Sequence, residues 1–77
     1  MKINILVFGK ISDITKKVSW EISGVINTDE LKEKLSRDFP ALNFNTCAIA
    51  INKEIIQKNT MFKNEDTVAL LPPYSGG

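Results

Sequence analysis

The residues of this chain that could do chemistry are gathered at its end. Pro72-Pro73-Tyr74-Ser75-Gly76-Gly77 closes the sequence on a bare glycine carboxylate. Glycine has no Cβ to clash with the walls of a tunnel, and it accepts backbone angles that other residues refuse. Proline fixes φ and carries no N–H, so Pro72-Pro73 stops a strand and stiffens the exit from it. At roughly 3.1 Å per residue, the arm from Pro72 to Gly77 reaches about 15–19 Å. Such an arm can place its carboxyl inside the active site of another protein. The competing reading is a loose end, since chain termini are often unstructured. Elsewhere the sequence offers little catalytic apparatus. It has no histidine, and Cys47 is its single cysteine. No Gly-rich phosphate loop, nucleophile–base pair or zinc-ligand spacing is present. The carboxyl of Gly77 is therefore the candidate reactive group, and no metal site is expected.

Seventy-seven residues suffice for one domain, near the lower limit for folding without disulfides or metal. The chain is 43% hydrophobic and 25% charged, with a net charge of +1. Acidic and basic residues are interleaved without a basic stripe, which argues against nucleic-acid binding. Neither a signal peptide nor a membrane-spanning run is predicted, and the expected compartment is the cytoplasm.

The elements that must position the arm can be read along the chain. Ile3 to Phe8 is a β-rich run closed by Gly9. Alternation puts Ile3, Ile5 and Val7 on one face and Asn4, Leu6 and Phe8 on the other. A polar stretch follows, containing Asp13 and Lys16-Lys17. Val18 to Ser23 then alternates again, which predicts a hairpin with the first strand. Asn27-Thr28-Asp29-Glu30 is a helix start, and Leu31, Leu35 and Phe39 form one apolar stripe. Glu30 with Lys34 and Glu33 with Arg37 are i,i+4 pairs, and Pro40 ends the helix. Cys47 to Ile51 reads as a third strand, with Cys47 a small buried residue on it. A turn at Asn52-Lys53 or Lys53-Glu54 leads to Ile55-Ile56. Lys63-Asn64-Glu65-Asp66 is a polar turn, and Thr67 to Leu71 is the last strand. This order predicts an α+β fold: a mixed sheet of four to five strands packed on one main helix, compatible with the ubiquitin-like β-grasp. A split βαβ sandwich is the alternative topology. The expected division is a β-grasp domain over 1–71 and a flexible Gly-Gly tail over 72–77.

The stretch Glu65-Asp66-Thr67-Val68-Ala69-Leu70-Leu71-Pro72-Pro73-Tyr74-Ser75-Gly76-Gly77 resembles the MoaD/ThiS sulfur-carrier family. It matches that family's acidic turn, apolar strand, double proline and terminal Gly-Gly. Ile5-Leu6-Val7-Phe8-Gly9 and Ala50-Ile51-Asn52-Lys53 add weaker support. The Pro-Pro spacer and the length favour the MoaD type, the small subunits of molybdopterin synthase, over the thiamine-pathway carriers. Tyr74 departs from the small aliphatic residue expected there.

The resemblance implies a chemistry for Gly77. A carboxylate is a poor electrophile, and adenylation by ATP supplies a better leaving group. A sulfur donor then attacks the acyl carbon, giving a thiocarboxylate whose ionised sulfur is a good nucleophile. The implied partners are a MoeB-like adenylating enzyme, which uses the ATP, and a MoaE-type large subunit in a heterotetramer. The large subunit would receive Pro72, Pro73, Tyr74, Ser75 and Gly76 in its active site. There the sulfur passes to cyclic pyranopterin monophosphate to build the molybdopterin dithiolene. The chain itself is expected to bind no cofactor and to catalyse nothing alone. Strand parity puts Leu6, Phe8 and Leu71 on an outer apolar face, and the resemblance adds Ile55, for a partner interface beside the arm. A ubiquitin-like protein modifier and a plain β-grasp interaction domain are the other readings.

Overall fold

The computed structural model of the chain describes residues 1–72. Its elements are β1 (Lys2–Val7), α1 (Ile11–Thr15), β2 (Ser19–Ser23), α2 (Thr28–Asp38), β3 (Ala48–Ile51), β4 (Glu54–Ile56) and β5 (Thr67–Leu71). The five strands form one mixed sheet in the order β2-β1-β5-β3-β4. β1 runs parallel to β5 and antiparallel to β2, and β3 is antiparallel to both β4 and β5. The last strand is therefore the middle of the sheet.

Alternation decides the faces, because a strand turns successive side chains to opposite sides. Ile3, Ile5, Val68 and Leu70 are fully buried, and they pack with Leu31 and Leu35 of α2. Full burial of each such side chain is worth about 1.5–3 kcal/mol. In β2 the same side carries Ile22, which is buried, and Trp20, which is half-buried. The ring of Trp20 meets Phe39 edge-on, with centroids 5.9 Å apart.

The helix start has two caps. Asn27 Oδ1 accepts from Glu30 N–H at 2.9 Å. Asn59, from a distant loop, accepts through its own Oδ1 from Asp29 N–H at 2.9 Å and from the Thr28 hydroxyl at 3.2 Å. Together they satisfy amides that the first helical turn leaves without partners. At the other end Phe39 leaves the helical region (φ −135°, ψ 80°) ahead of Pro40, whose ring disfavours helical angles in the residue before it. The expected Glu30–Lys34 and Glu33–Arg37 pairs are not among the ion pairs of the described residues. Glu30 instead turns back to accept from Ile26 N–H at 3.1 Å, and Lys34 pairs with Asp38 at 3.3 Å.

One connection differs from expectation, and another resolves a choice that the sequence left open. The stretch after Gly9 expected to be merely polar contains α1, which buries Ile11 and Thr15. Lys16 closes it in the left-handed conformation. The β3–β4 turn is Asn52-Lys53, both with positive φ (50° and 75°), the backbone of a tight two-residue hairpin. Asn52 also holds the start of β5, because its Oδ1 accepts from Thr67 N–H and its Nδ2 donates to Asp66. The second carboxylate oxygen of Asp66 accepts from Lys63 N–H at 2.7 Å, so this acid is committed to the turn before the last strand.

Candidate docking face and arm root

The outer side of the sheet is ordered by register. Leu6 lies beside Ala69, Ala69 beside Ala50, and Ala50 beside Ile55. One row across four strands thus reads large, small, small, large. With strands about 4.8 Å apart, Leu6 and Ile55 stand roughly 14 Å from one another across a floor of two alanines. Phe8 continues the line of Leu6 just beyond the end of β1, and Leu71 sits beside Ala48 one row nearer the arm. Phe8 and Ile55 keep 47% and 54% of their surfaces exposed, while Leu6 and Leu71 are half-buried. A depression of about 380 Å³ lies between Leu6, Phe8, Thr67 and Ala69, with Asn52 and Lys53 at its margin. The four residues proposed from the sequence therefore share one face. Leu6 and Phe8 line the depression, whereas Ile55 and Leu71 lie elsewhere on that face. The two floor alanines carry no hydrophobic signal in the sequence strong enough to mark them.

The arm begins where the two parallel central strands end together. Pro72 follows β5 and lies against Gly9, which follows β1. Gly9 has φ +61°, and a Cβ placed on it would meet Pro72 Cγ at 3.1 Å. The glycine is needed twice over, for its backbone angle and for the proline beside it. Pro73, Tyr74, Ser75, Gly76 and Gly77 lie outside the described residues, as does the expectation of a flexible tail.

Beside this root is a mainly apolar groove of about 500 Å³, lined by Gly9, Ile11, Ile14, Leu42, Cys47 and Pro72 among others. Cys47 corrects the expectation of a buried strand residue. It precedes β3, which starts at Ala48, and it is half-exposed. Burial pushes its thiol above the ordinary value, against a smaller opposing effect from a hydrogen bond with Thr46. A neutral thiol is a weak nucleophile, so burial makes Cys47 less reactive than a free cysteine. The groove itself escaped the sequence reading because α1 did. Ile11 and Ile14, three residues apart, were its signal. No cluster of three or more potential metal ligands occurs among the described residues, and no helix among them is long and apolar enough to cross a membrane.

A sheet whose first and last strands pair in parallel at its centre, clasping one main helix, defines the ubiquitin-like β-grasp class. Residues 5–77 match the model of the ThiS family, and the chain belongs to that family. It is 31% identical over 83 residues to a molybdopterin synthase sulfur carrier subunit from Chlamydomonas reinhardtii, with all of both chains covered. Among solved structures it resembles a chain of the protein–protein complex of subunits 1 and 2 of molybdopterin-converting factor from Helicobacter pylori 26695. That match has 32% identity, a TM-score of 0.78 and full coverage of both chains. The small archaeal modifier protein 1 of Methanosarcina acetivorans shares the fold at a TM-score of 0.83, with 21% identity over 99% of this chain and 96% of that one.

Proposed function

We propose that this chain is the sulfur-carrying small subunit of a molybdopterin synthase, with Gly77 as the carrying residue. The supporting observation is end-to-end similarity above 30% to a sulfur carrier subunit and to a chain of a two-subunit molybdopterin-converting factor. The carboxylate of Gly77 attacks the α-phosphorus of ATP on a MoeB-like enzyme, releasing pyrophosphate and leaving an acyl adenylate. A persulfide donor adds through its terminal sulfur to the acyl carbon and expels AMP, and a thiol then attacks the donor's inner sulfur, forming a disulfide with it and releasing Gly77 as the thiocarboxylate. On a MoaE-type large subunit this sulfur bonds to a side-chain carbon of cyclic pyranopterin monophosphate as a C–O bond there breaks, which leaves a thioester to Gly77. Water then takes the acyl carbon and restores the carboxylate for another round.

In this reading the domain 1–71 is a handle and residues 72–77 are the delivered group. Leu6, Phe8, Ile55 and Leu71 dock on the large subunit, two small subunits flanking a large-subunit dimer. Pro72, Pro73, Tyr74, Ser75 and Gly76 span its channel. The protein binds no cofactor itself and works in the cytoplasm.

Intact mass spectrometry of the protein from its native cells tests this. One oxygen-to-sulfur exchange located at Gly77 is the expected result. Deleting Gly77 should abolish sulfur transfer and leave the melting temperature unchanged. A ladder of conjugates to other proteins, with no sulfur exchange, would instead identify a protein modifier. Co-purification with a pterin-binding large subunit distinguishes this carrier from a thiamine-pathway one.

A further inference from the structure

We infer that the apolar groove at the common end of β1 and β5 is a seat for the chain's own Tyr74, which holds the arm against the body when no partner is bound. The groove offers about 500 Å³ between α1, the 41–47 loop and Pro72. Ile11, Ile14 and Leu42 line it with aliphatic surface, and Asn43 and Thr46 add polar groups to the lining. That combination suits a phenol, whose ring is apolar and whose hydroxyl seeks a hydrogen bond.

The chain supplies one such group nearby. Five residues follow Pro72, and Tyr74 is the only aromatic among them. Pro72 forms part of the groove wall, so Tyr74 starts within about 6 Å of it along an extended backbone. A tethered ring meets the groove at an effective concentration in the millimolar range, which favours it over a free ligand of similar affinity. The seat stands on these features alone. Its meaning as a parked arm rests on the sulfur-carrier reading, in which each partner must lift Tyr74 out to reach Gly77.

Tyr74 is the sole tyrosine, so 3-fluorotyrosine incorporated into the full chain gives a single ¹⁹F resonance. In the free protein that resonance should be displaced from its position in the peptide Pro-Pro-Tyr-Ser-Gly-Gly, and be less broadened by a soluble nitroxide. Ala41→Arg and Thr46→Arg, at exposed positions lining the groove, should return it to the peptide position. Coincidence of the wild-type and peptide resonances would overturn the inference. So would a displaced resonance that neither substitution moves in a folded variant. Should both variants unfold, a nuclear Overhauser effect between the Tyr74 ring and the Ile14 methyls of the wild-type protein decides, its absence overturning the seat. Thiocarboxylate formation at Gly77 is measured separately, so failure here leaves the proposed function standing.

Discussion

Replacing Gly9 with alanine tests how the domain aims its arm. Gly9 sits at φ +61°, where an L-residue costs about 1–2 kcal/mol more than glycine. For a domain of this size each kcal/mol lowers Tm by about 4–8 °C, so Gly9→Ala should lower it by roughly 4–16 °C. The new Cβ also meets Pro72 Cγ at 3.1 Å, so one of the two must move by a few tenths of an ångström. The 3.1 Å contact disappears in Pro72→Ala, because Cγ and Cδ are removed, while the cost of positive φ stays. A double-mutant cycle by denaturant unfolding therefore isolates the contact, with an expected coupling of about 0.5 kcal/mol or more. Sulfur transfer to the pterin should fall further in Gly9→Ala than the loss of folded protein explains, since the arm's first residue has shifted. Equal costs of Gly9→Ala with and without the proline ring would refute the claim that Gly9 braces the arm.

Three other outcomes follow from the same structure. Phe8 has 47% of its surface free, and an aromatic side chain buries 150–250 Å² in all, so roughly 70–120 Å² remains for a partner to cover. At about 25 cal/mol per Å² this is up to about 2–3 kcal/mol, and Phe8→Ala should weaken large-subunit binding by as much as roughly 25- to 150-fold at nearly constant Tm. Isothermal titration checks it, and unchanged affinity would remove Phe8 from the interface. Asn59→Ala deletes the second cap of α2 and should cost about 1 kcal/mol in urea unfolding, with Asp29 N–H losing its acceptor. Cys47 should alkylate with a pH midpoint above that of a free cysteine, because burial favours the neutral thiol and the reactive thiolate appears only at higher pH. A midpoint below the free value would mean that a cation or amide stabilises the thiolate.

The sheet was legible because its signals are local and redundant. Strict alternation in Ile3–Val7 and Thr67–Leu71 assigns the inner face without knowledge of the neighbours, and capping chemistry at Asn27 marks the helix start. The outer face follows from the same parity, which turns Leu6, Phe8 and Leu71 away from the core. What the sequence concealed depends on pairing at long range. The trough floor exists because register sets Ala69 beside Ala50, two alanines that are unremarkable in isolation. Asn59 caps a helix that starts 31 residues before it, so no window around either shows the bond. The short helix α1 was hidden by its length, since five residues carry barely one apolar period.

The same geometry explains why a small domain suits an arm that must be placed accurately. β5 is paired on both sides, by β1 and β3, and its Val68 and Leu70 are fully buried. Strands of this kind open only near the cost of global unfolding, whereas edge strands such as β2 and β4 open more easily. An arm rooted on β5 therefore leaves from the least mobile part of the sheet. Pro72 follows the strand without an N–H, which removes a ladder donor at its end. In the proposed carrier, the exposed apolar face holds the domain on its partner, and the root at Gly9 and Pro72 sets the direction of departure. Substitutions on the face should accordingly change affinity, and substitutions at the root should change the rate of transfer from a complex of ordinary affinity.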